Sequence, residues 1–380
     1  MKLFCRVIII SLLSVNLDLA QTNWLRKPAN LILDGVPNIS ASLATDLAVY
    51  RSSFADSLVG WDPIELQPII MRVHGYAEEL WKVPRAGEPP KLLLKLPNFT
   101  ESVYCNSRTG DFVFRIDDSL GGERYQLYRY VAGAGDPLRL TDGESANFYP
   151  RFSNAGDWVM YSSPKRNGKH MDLYAVKPID PKSDHLVAQL DAEDWAPFDF
   201  SPDDRMVVIS DYKSESESYL WTLDIATGEK RLLTSPGKKT PIFNGPSALF
   251  SKDGKGIYHI TDRDSGFYRL AYINIATRRY TYLTGSIPWD VEEFVLSPDR
   301  TLLAYTVNEA GFSQLHIIDT SKNKELSIPK IPRGVISSLC WHNDGNHLGF
   351  KCSSGSVPGD IYAVEISSRK LEHWTSPLCQ

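Results

Sequence analysis

Apolar and polar positions along this chain alternate in short runs that recur over most of its length. The stretch from Phe200 to Ser210 shows the pattern, because an aromatic residue is followed by the polar turn Ser-Pro-Asp-Asp-Arg and then by Met-Val-Val-Ile-Ser. Proline presets φ for a tight turn, and serine and aspartate side chains bond the local backbone there. The apolar, β-branched run after the turn favours a pleated and mostly buried strand. The stretch therefore predicts a β-hairpin.

The same hairpin recurs at a nearly constant interval. Six turns end, in chain order, at Gly110, Gly156, Asp204, Gly254, Arg300 and Gly345. The intervals between them are 46, 48, 50, 46 and 45 residues, and a degenerate seventh copy lies around Trp61. A period in the forties with about four strands per unit is typical of β-propeller blades.

Two further motifs keep the same phase. An Asp-Leu-Tyr-like strand follows each turn by roughly fifteen residues and is found seven times, and a Leu-Thr-like pair closes several of the units. The clearest pairs are Leu140-Thr141, Leu233-Thr234, Leu283-Thr284 and Trp374-Thr375. A β-sandwich would not keep three motifs in phase over seven copies. We therefore predict an all-β fold, a seven-bladed β-propeller of four-stranded antiparallel blades, over residues 55–376.

Composition narrows the function classes. The chain has 380 residues, of which 42% are apolar and 23% charged, and its formal net charge is −5. Because the lysines and arginines are dispersed, a nucleic-acid partner is not expected. No cofactor motif is visible, and no cofactor is predicted.

Residues 1–20 have the layout of a secretory signal peptide. Lys2 and Arg6 flank an apolar run that is too short to span a bilayer, and Ala20 offers a cleavage position. Asp18 stands where a small residue usually precedes cleavage, so an uncleaved membrane anchor stays open as the alternative. We expect a secreted or periplasmic protein, with no membrane span unless the leader is uncleaved.

Residues 21–54 carry no blade motif. We predict that this segment packs on the propeller and that Ala41 to Tyr50 form a short helix.

The cysteines allow one disulfide to be considered. Cys105, Cys340, Cys352 and Cys379 lie beyond the leader, an even number that an oxidising compartment would permit to pair. Cys340 and Cys352 lie on the two arms of one predicted hairpin, so they could form a cross-strand disulfide. Buried free thiols are an equally good interpretation, and no spacing matches a zinc site.

The amino-acid sequences of the repeats resemble those of one protein family. Among the matching segments are Asp34-Gly35-Val36-Pro37, Leu140-Thr141-Asp142-Gly143, Ser201-Pro202-Asp203, Trp289-Asp290-Val291-Glu292 and Trp374-Thr375. In order over about residues 34–376, the chain resembles the N-terminal propeller domain of prolyl oligopeptidase-family serine peptidases, of the acylaminoacyl-peptidase and dipeptidyl-peptidase type. TolB-like periplasmic propellers resemble it more distantly.

The resemblance implies a partner domain that this sequence does not show. In that family an α/β-hydrolase domain follows the propeller and carries the chemistry, whereas here the last blade motif ends near Gln380. The nucleophilic serine of such a domain needs a Gly-x-Ser-x-Gly turn, and no such pentapeptide occurs in the sequence. No catalytic residue is carried over, so we predict a non-catalytic propeller that binds a protein or peptide. The alternative is the propeller portion of a truncated or split peptidase, which would gate or orient substrate for a hydrolase domain or subunit made elsewhere.

The candidate binding site is one mouth of the central channel. The innermost strands should begin there and bring together a polar, somewhat acidic ring, for which a cationic or peptide-like ligand is suited. The predicted site residues are Asn147, Asp194, Trp195, Asn244, Trp289 and Asp290. The two tryptophans are predicted to be stacking surfaces, and a solvated channel without a ligand is the alternative.

Two other constellations are interpreted as structural. His342 and His347 flank a turn, and two histidines can begin a metal site, but no third ligand is evident and no metal is predicted. Glu292-Glu293 resembles the paired glutamates with which dipeptidyl peptidases hold a substrate amine. The two residues alternate on a predicted strand, so we expect them to point to opposite faces.

Overall fold

The computed structural model describes residues 24–51, 56–74, 77–96, 100–106, 108–117, 122–131, 135–236 and 241–375. The predicted signal peptide and Cys379 lie outside these residues. The chain divides into two compact units, Met1–Ser53 and Phe54–Gln380. In the first unit the expected short helix forms as α1 (Ala41–Arg51), and the Ser40 Oγ caps it by accepting a hydrogen bond from the Leu43 N–H at 3.1 Å. No helix among the described residues is long and apolar enough to cross a membrane.

The second unit is a ring of seven antiparallel sheets, each built from four strands that are consecutive in the chain. Blade 1 contains β1 (Ser57–Trp61), β2 (Pro68–His74), β3 (Ala77–Lys82) and β4 (Lys91–Lys95); blade 2 contains β5 (Thr100–Cys105), β6 (Phe112–Asp117), β7 (Tyr125–Tyr130) and β8 (Leu138–Arg139); blade 3 contains β9 (Phe148–Phe152), β10 (Val159–Ser163), β11 (Asp172–Lys177) and β12 (Asp180–Ala188); blade 4 contains β13 (Trp195–Phe200), β14 (Met206–Ser214), β15 (Glu217–Asp224) and β16 (Lys230–Leu232). Blade 5 contains β17 (Asn244–Phe250), β18 (Gly256–Thr261), β19 (Arg269–Asn274) and β20 (Tyr280–Tyr282); blade 6 contains β21 (Val291–Leu296), β22 (Leu302–Glu309), β23 (Phe312–Asp319) and β24 (Lys324–Glu325); blade 7 contains β25 (Val335–Trp341), β26 (His347–Ser354), β27 (Val357–Glu365) and β28 (Lys370–His373). The predicted all-β, seven-bladed propeller is confirmed.

The apolar core lies between the blades. Seven clusters of buried apolar side chains are present, and each joins two neighbouring blades. Between blades 4 and 5, for example, Leu220 packs with Phe250 and Ile257. Full burial of such a side chain contributes about 1.5–3 kcal/mol. A blade therefore buries its faces only when both neighbours are in place.

The ring closes between blades 7 and 1 without a strand shared by the two, because each of these blades contains its own four strands. Trp61 of β1 is 2% exposed, and its Nε1 donates a hydrogen bond to the Cys340 carbonyl of β25 at 3.0 Å. Its ring meets that of Trp374 edge to face, with centroids 5.9 Å apart. Gly349 makes room for the indole, since a Cβ on Gly349 would lie 2.7 Å from Trp61.

The Leu-Thr motif has a direct structural explanation. The threonine hydroxyl accepts a hydrogen bond from a buried backbone N–H of the Asp-Leu-Tyr-like strand, always 14 residues earlier in the chain. The pairs are Thr141 with Leu127 (3.0 Å), Thr234 with Leu220 (2.9 Å), Thr284 with Leu270 (3.0 Å) and Thr375 with Ile361 (3.0 Å). The two motifs keep phase because they are the two ends of one hydrogen bond.

The hairpin turns also share one backbone conformation. The last turn residue has a left-handed φ in six blades, and the residues are Gly110, Gly156, Asp204, Gly254, Arg300 and Gly345. Glycine adopts this conformation freely, whereas other residues lose about 1–2 kcal/mol. Asp204 and Arg300 are therefore exceptions that need a compensating interaction.

The innermost strand of each blade is irregular. All seven contain a register shift where they pair with the second strand. In blade 4, for example, the shift lies between Pro197 and Asp199. An extra residue of this kind reverses the side-chain alternation for the rest of the strand.

The cross-strand disulfide is not formed. Cys340 pairs with Gly349 and Cys352 with Ile336, and both cysteines are free thiols. The two cysteines are thus offset by about three residues along the ladder, or roughly 10 Å at about 3.3 Å per residue, whereas a disulfide needs Cα atoms about 4.4–6.8 Å apart. Of the two interpretations left open by the sequence, the structure therefore has the free thiols, because the register of β25 and β26 keeps Cys340 and Cys352 apart.

Replacing Thr284 by valine tests the hydrogen bond that links the two motifs. The substitution keeps the shape of the buried side chain but leaves the Leu270 N–H without its acceptor, so we expect the free energy of unfolding to fall by about 1–3 kcal/mol. Urea unfolding followed by tryptophan fluorescence measures this. Thr284→Ser keeps the hydroxyl and should lose clearly less; equal losses in the two variants would show that the hydroxyl does not matter.

Candidate functional site

The central channel has two different ends. Because the innermost strands all run the same way, their first residues lie at one end, named here the start end, and the hairpin turns after them lie at the other, the turn end. The turn end holds a cavity of about 490 Å³ lined by side chains from several blades. Among its lining residues are Asn106, Asn154, Asp199, Leu249, Arg300 and Asn343.

Arg300 joins four blades at the turn end. It belongs to the hairpin turn of blade 6, and its Nη1 lies 2.7 Å from Oδ2 of Asp199 in blade 4. The same nitrogen donates to the Phe250 carbonyl of blade 5 at 2.8 Å, and Nη2 donates to Oδ1 of Asn154 in blade 3 at 2.9 Å. Charge-assisted bonds of this kind are the strong ones. These hydrogen bonds offset the conformational free-energy cost of the left-handed φ of Arg300.

Asp204, the second exception among the turns, also holds a neighbouring blade. Its Oδ1 accepts hydrogen bonds from the backbone N–H and the side-chain amide of Asn154, at 2.8 and 2.7 Å. Its Oδ2 accepts from the Ala155 N–H at 3.0 Å. The polar groups of the turn end are thus occupied with one another, and this end is a structural clamp.

Half of the predicted site residues at the start end are buried. Nδ2 of Asn147 donates to the Tyr125 carbonyl at 2.9 Å, and Nδ2 of Asn244 donates to the Ser218 carbonyl at 2.5 Å. Trp195 is 1% exposed and packs between blades 3 and 4, with the Lys230 Nζ 4.6 Å from its ring centroid. The expectation that Trp195 offers a stacking surface is wrong, because its indole belongs to an interblade core.

The other three predicted residues are accessible. Asp290 is exposed, and its Oδ1 accepts a hydrogen bond from the Tyr268 N–H at 2.7 Å. Trp289 is 39% exposed. Asp194 is half-buried, and its Oδ1 lies 3.4 Å from the Tyr149 hydroxyl that donates to it. Burial raises the pKa of Asp194, the Tyr149 hydrogen bond opposes this, and the charge of Asp211 adds to the increase.

Sequence reasoning missed further acidic and aromatic residues at this end. Asp262 of blade 5 accepts a hydrogen bond from the Phe243 N–H at 2.9 Å, and burial raises its pKa. The rings of Phe243 and Tyr268 meet edge to face, with centroids 5.8 Å apart. Burial raises the pKa of Tyr268, and the charges of Asp262, Asp290 and Glu215 add to the increase. Acids from blades 4, 5 and 6 therefore surround one tyrosine.

We name this surface the acidic rim, and it is defined by Asp194, Glu215, Asp262, Tyr268, Trp289 and Asp290. Lys213 lies nearby but pairs with Asp211 at 2.8 Å. Among the described residues, Asp194, Asp262 and Asp290 take part in no ion pair. The rim therefore presents carboxylates beside aromatic rings.

The adjacent glutamates Glu292 and Glu293 diverge, as predicted. Glu292 accepts hydrogen bonds from Asn308 (2.8 Å) and Ser313 (3.1 Å) within blade 6. Glu293 accepts one from the Leu339 N–H of blade 7 at 2.9 Å. Burial raises the pKa of Glu293 to about 7, against the lowering effect of its backbone hydrogen bonds.

Comparison with known proteins identifies the fold. No protein-family model matches the sequence, and no curated protein matches it significantly. A prolyl endopeptidase structure is similar with a TM-score of 0.68 and 14% identity over 88% of this chain and 52% of that chain. A puromycin-hydrolyzing peptidase of Mycobacterium tuberculosis gives a TM-score of 0.65 and 14% identity over 88% and 55%. TolB from Acinetobacter baumannii gives 0.49 and 14% over 82% and 78%.

The chain spans about half the length of the two peptidase structures that it matches. At 14% identity the similarity establishes the propeller fold and not an activity. The described residues contain this propeller and the short helical unit before it.

The buried carboxyl group of Glu293 predicts a pH dependence of stability. With a pKa of about 7 in the folded chain against 4.5 as its ordinary value, the folded state keeps a proton that the unfolded state releases between these pH values. Stability should therefore fall as pH rises through this window, by up to about 3 kcal/mol at 1.36 kcal/mol per pKa unit. Urea unfolding of the wild type and of Glu293→Gln at about pH 5 and pH 8 measures the difference. The wild type should lose more stability than the variant, and equal losses would contradict the assignment.

Proposed function

We propose that this chain is an exported, non-catalytic propeller that binds a protein or peptide at the acidic rim. The observation that carries the proposal is the set of accessible carboxylates of Asp194, Asp262 and Asp290 beside Trp289 and Tyr268. Loops held on a rigid scaffold are common binding sites. The proposed export rests on the signal-peptide pattern of residues 1–20.

The chemistry of the rim favours a cationic ligand segment. Carboxylates attract lysine, arginine or a free peptide amine, and aromatic faces add cation–π and apolar contact. Exposed ion pairs each contribute only about 0.2–1 kcal/mol, so several contacts must act together. Binding should also weaken with salt, because exposed charges are screened over about 8–10 Å at physiological ionic strength.

A non-catalytic role is supported by the surroundings of the serines. A nucleophilic serine needs an adjacent base and an oxyanion hole. Buried serines here bond to backbone carbonyls: Ser162 donates to Trp195 at 2.6 Å and Ser218 to Asn244 at 2.9 Å. Within the described ranges, no serine hydroxyl bonds to a histidine ring.

The second candidate function is the propeller portion of a prolyl oligopeptidase-family peptidase, which would orient peptide substrates for a hydrolase domain. It is favoured by the 88% coverage of this chain by two peptidase structures of about twice its length. The DNA sequence downstream of the coding region discriminates between the two, because a Gly-x-Ser-x-Gly coding region there would favour the peptidase. Absence of labelling of this chain by a fluorophosphonate probe is expected under both.

The binding proposal is tested with two fluorescein-labelled octapeptides, one rich in lysine and one rich in glutamate. Fluorescence anisotropy should show binding of the basic peptide only. In the double variant Asp194→Asn/Asp290→Asn the Kd should rise about tenfold, equivalent to about 1.4 kcal/mol.

Glu229→Gln is the matched control, because Glu229 is an exposed acid in the turn between β15 and β16, at the opposite end of the blade. It should bind like the wild type. Equal binding of both peptides, or an unchanged Kd in the double variant, would refute the proposed site.

A further inference from the structure

The serine turns of the repeat share one hydrogen-bond pattern. In blades 4, 5 and 6 the serine Oγ donates to the aspartate two residues later and accepts from the N–H five residues later. The sets are Ser201, Asp203 and Met206; Ser251, Asp253 and Gly256; and Ser297, Asp299 and Leu302. The turns of these three blades serve as the reference for a turn whose side chains have only a structural role.

Blade 7 departs from this pattern at two of the three positions. His342 replaces the serine and His347 occupies the position of Met206 or Leu302, while Asp344 keeps the aspartate. Nδ1 of His342 lies 3.1 Å and Nδ1 of His347 lies 2.6 Å from the same oxygen, Oδ2 of Asp344. One ligand atom from each residue lies within 4.8 Å of those of the other two. The substitutions thus bring two imidazoles onto one carboxylate.

The carboxylate is held in place from its other side. Oδ1 of Asp344 accepts hydrogen bonds from the N–H groups of Asn346 (2.8 Å) and His347 (3.1 Å), which leaves Oδ2 facing the rings. His342 is also fixed, because it is 6% exposed and its ring meets that of Trp61 edge to face at 5.5 Å. Burial favours protonation of Asp344, but these hydrogen bonds outweigh it and lower its pKa, so the carboxylate is ionised at neutral pH.

The main chain of the turn also contacts the His342 ring, because the Asp344 N–H lies 3.3 Å from Nδ1 of His342. This ring nitrogen is thereby held 3.1 Å from the Asp344 carboxylate. Two imidazole nitrogens and a carboxylate oxygen are a ligand set that zinc and its neighbours prefer.

We propose that His342, Asp344 and His347 bind a divalent transition-metal ion of the zinc class. Three protein ligands leave a coordination position for water or a donor from a partner.

A metal ion bound at this site would also strengthen the contact between blades 7 and 1 that closes the ring. Nδ2 of Asn343, between the ligands, donates to the Pro63 carbonyl of blade 1 at 3.3 Å. A metal bound to the folded state alone raises its stability by mass action.

The repeat itself provides the test variants. His342→Ser restores the residue of three other turns, and His347→Leu introduces the residue found at position 302. The full chain, stripped with chelator, is titrated with Zn²⁺ by calorimetry and with Co²⁺ by visible absorption, and its Tm is measured with and without Zn²⁺. His316→Gln is the control, since His316 pairs with Glu325 elsewhere on blade 6.

The wild type and His316→Gln should bind one ion and gain thermal stability. Each test variant should lose at least about tenfold in affinity, together with the gain in Tm. Absence of stoichiometric binding in the wild type, or binding with wild-type affinity in His342→Ser or His347→Leu, would overturn the proposal. In that case His342 and His347 only hydrogen-bond to Asp344 within the turn.

Discussion

Stability of this propeller depends on closing the ring, because each of the seven apolar clusters formed by the described residues lies between two blades. An open arrangement would expose one face of blade 1 and one of blade 7. The closing contact is made by Trp61, which packs on Trp374 and bonds to the Cys340 carbonyl. In repeat folds each unit is stabilised by its neighbours, so loss of this interface would leave blades 1 and 7 each with a single neighbour.

The two ends of the channel differ in how their polar side chains are used. At the turn end, Arg300 has a left-handed backbone conformation. Its side chain joins blades 3, 4 and 5 to blade 6 through bonds to Asn154, Asp199 and the Phe250 carbonyl. At the start end, by contrast, carboxylates such as Asp290 lie exposed beside aromatic rings. A clamp at one end fixes the spacing of the blades and thereby holds in place the loops at the other end, where we propose that a ligand binds.

The architecture could be predicted from sequence because turn, strand and threonine motifs recur in phase, and each copy reports the same local chemistry. The site could be predicted only in part. Counting back from the turn serine selected Asp194 and Asp290, whose side chains are accessible, but also Trp195, whose indole is buried, because the register shift in the innermost strand reverses the side-chain alternation. The sequence pattern also did not indicate that Asp344 lies between His342 and His347. The turn brings these side chains together, whereas the strand pattern alone keeps them apart.

Carboxyl footprinting tests the central claim that the channel is clamped at one end and open at the other. The folded chain is labelled with a water-soluble carbodiimide and an amine, and modification of each acid is quantified by mass spectrometry. We expect fast modification of Asp194 and Asp290, and protection of Asp199 by Arg300 that is lost in Arg300→Gly. Modification of Asp199 as fast as that of Asp290 in the wild type would contradict it.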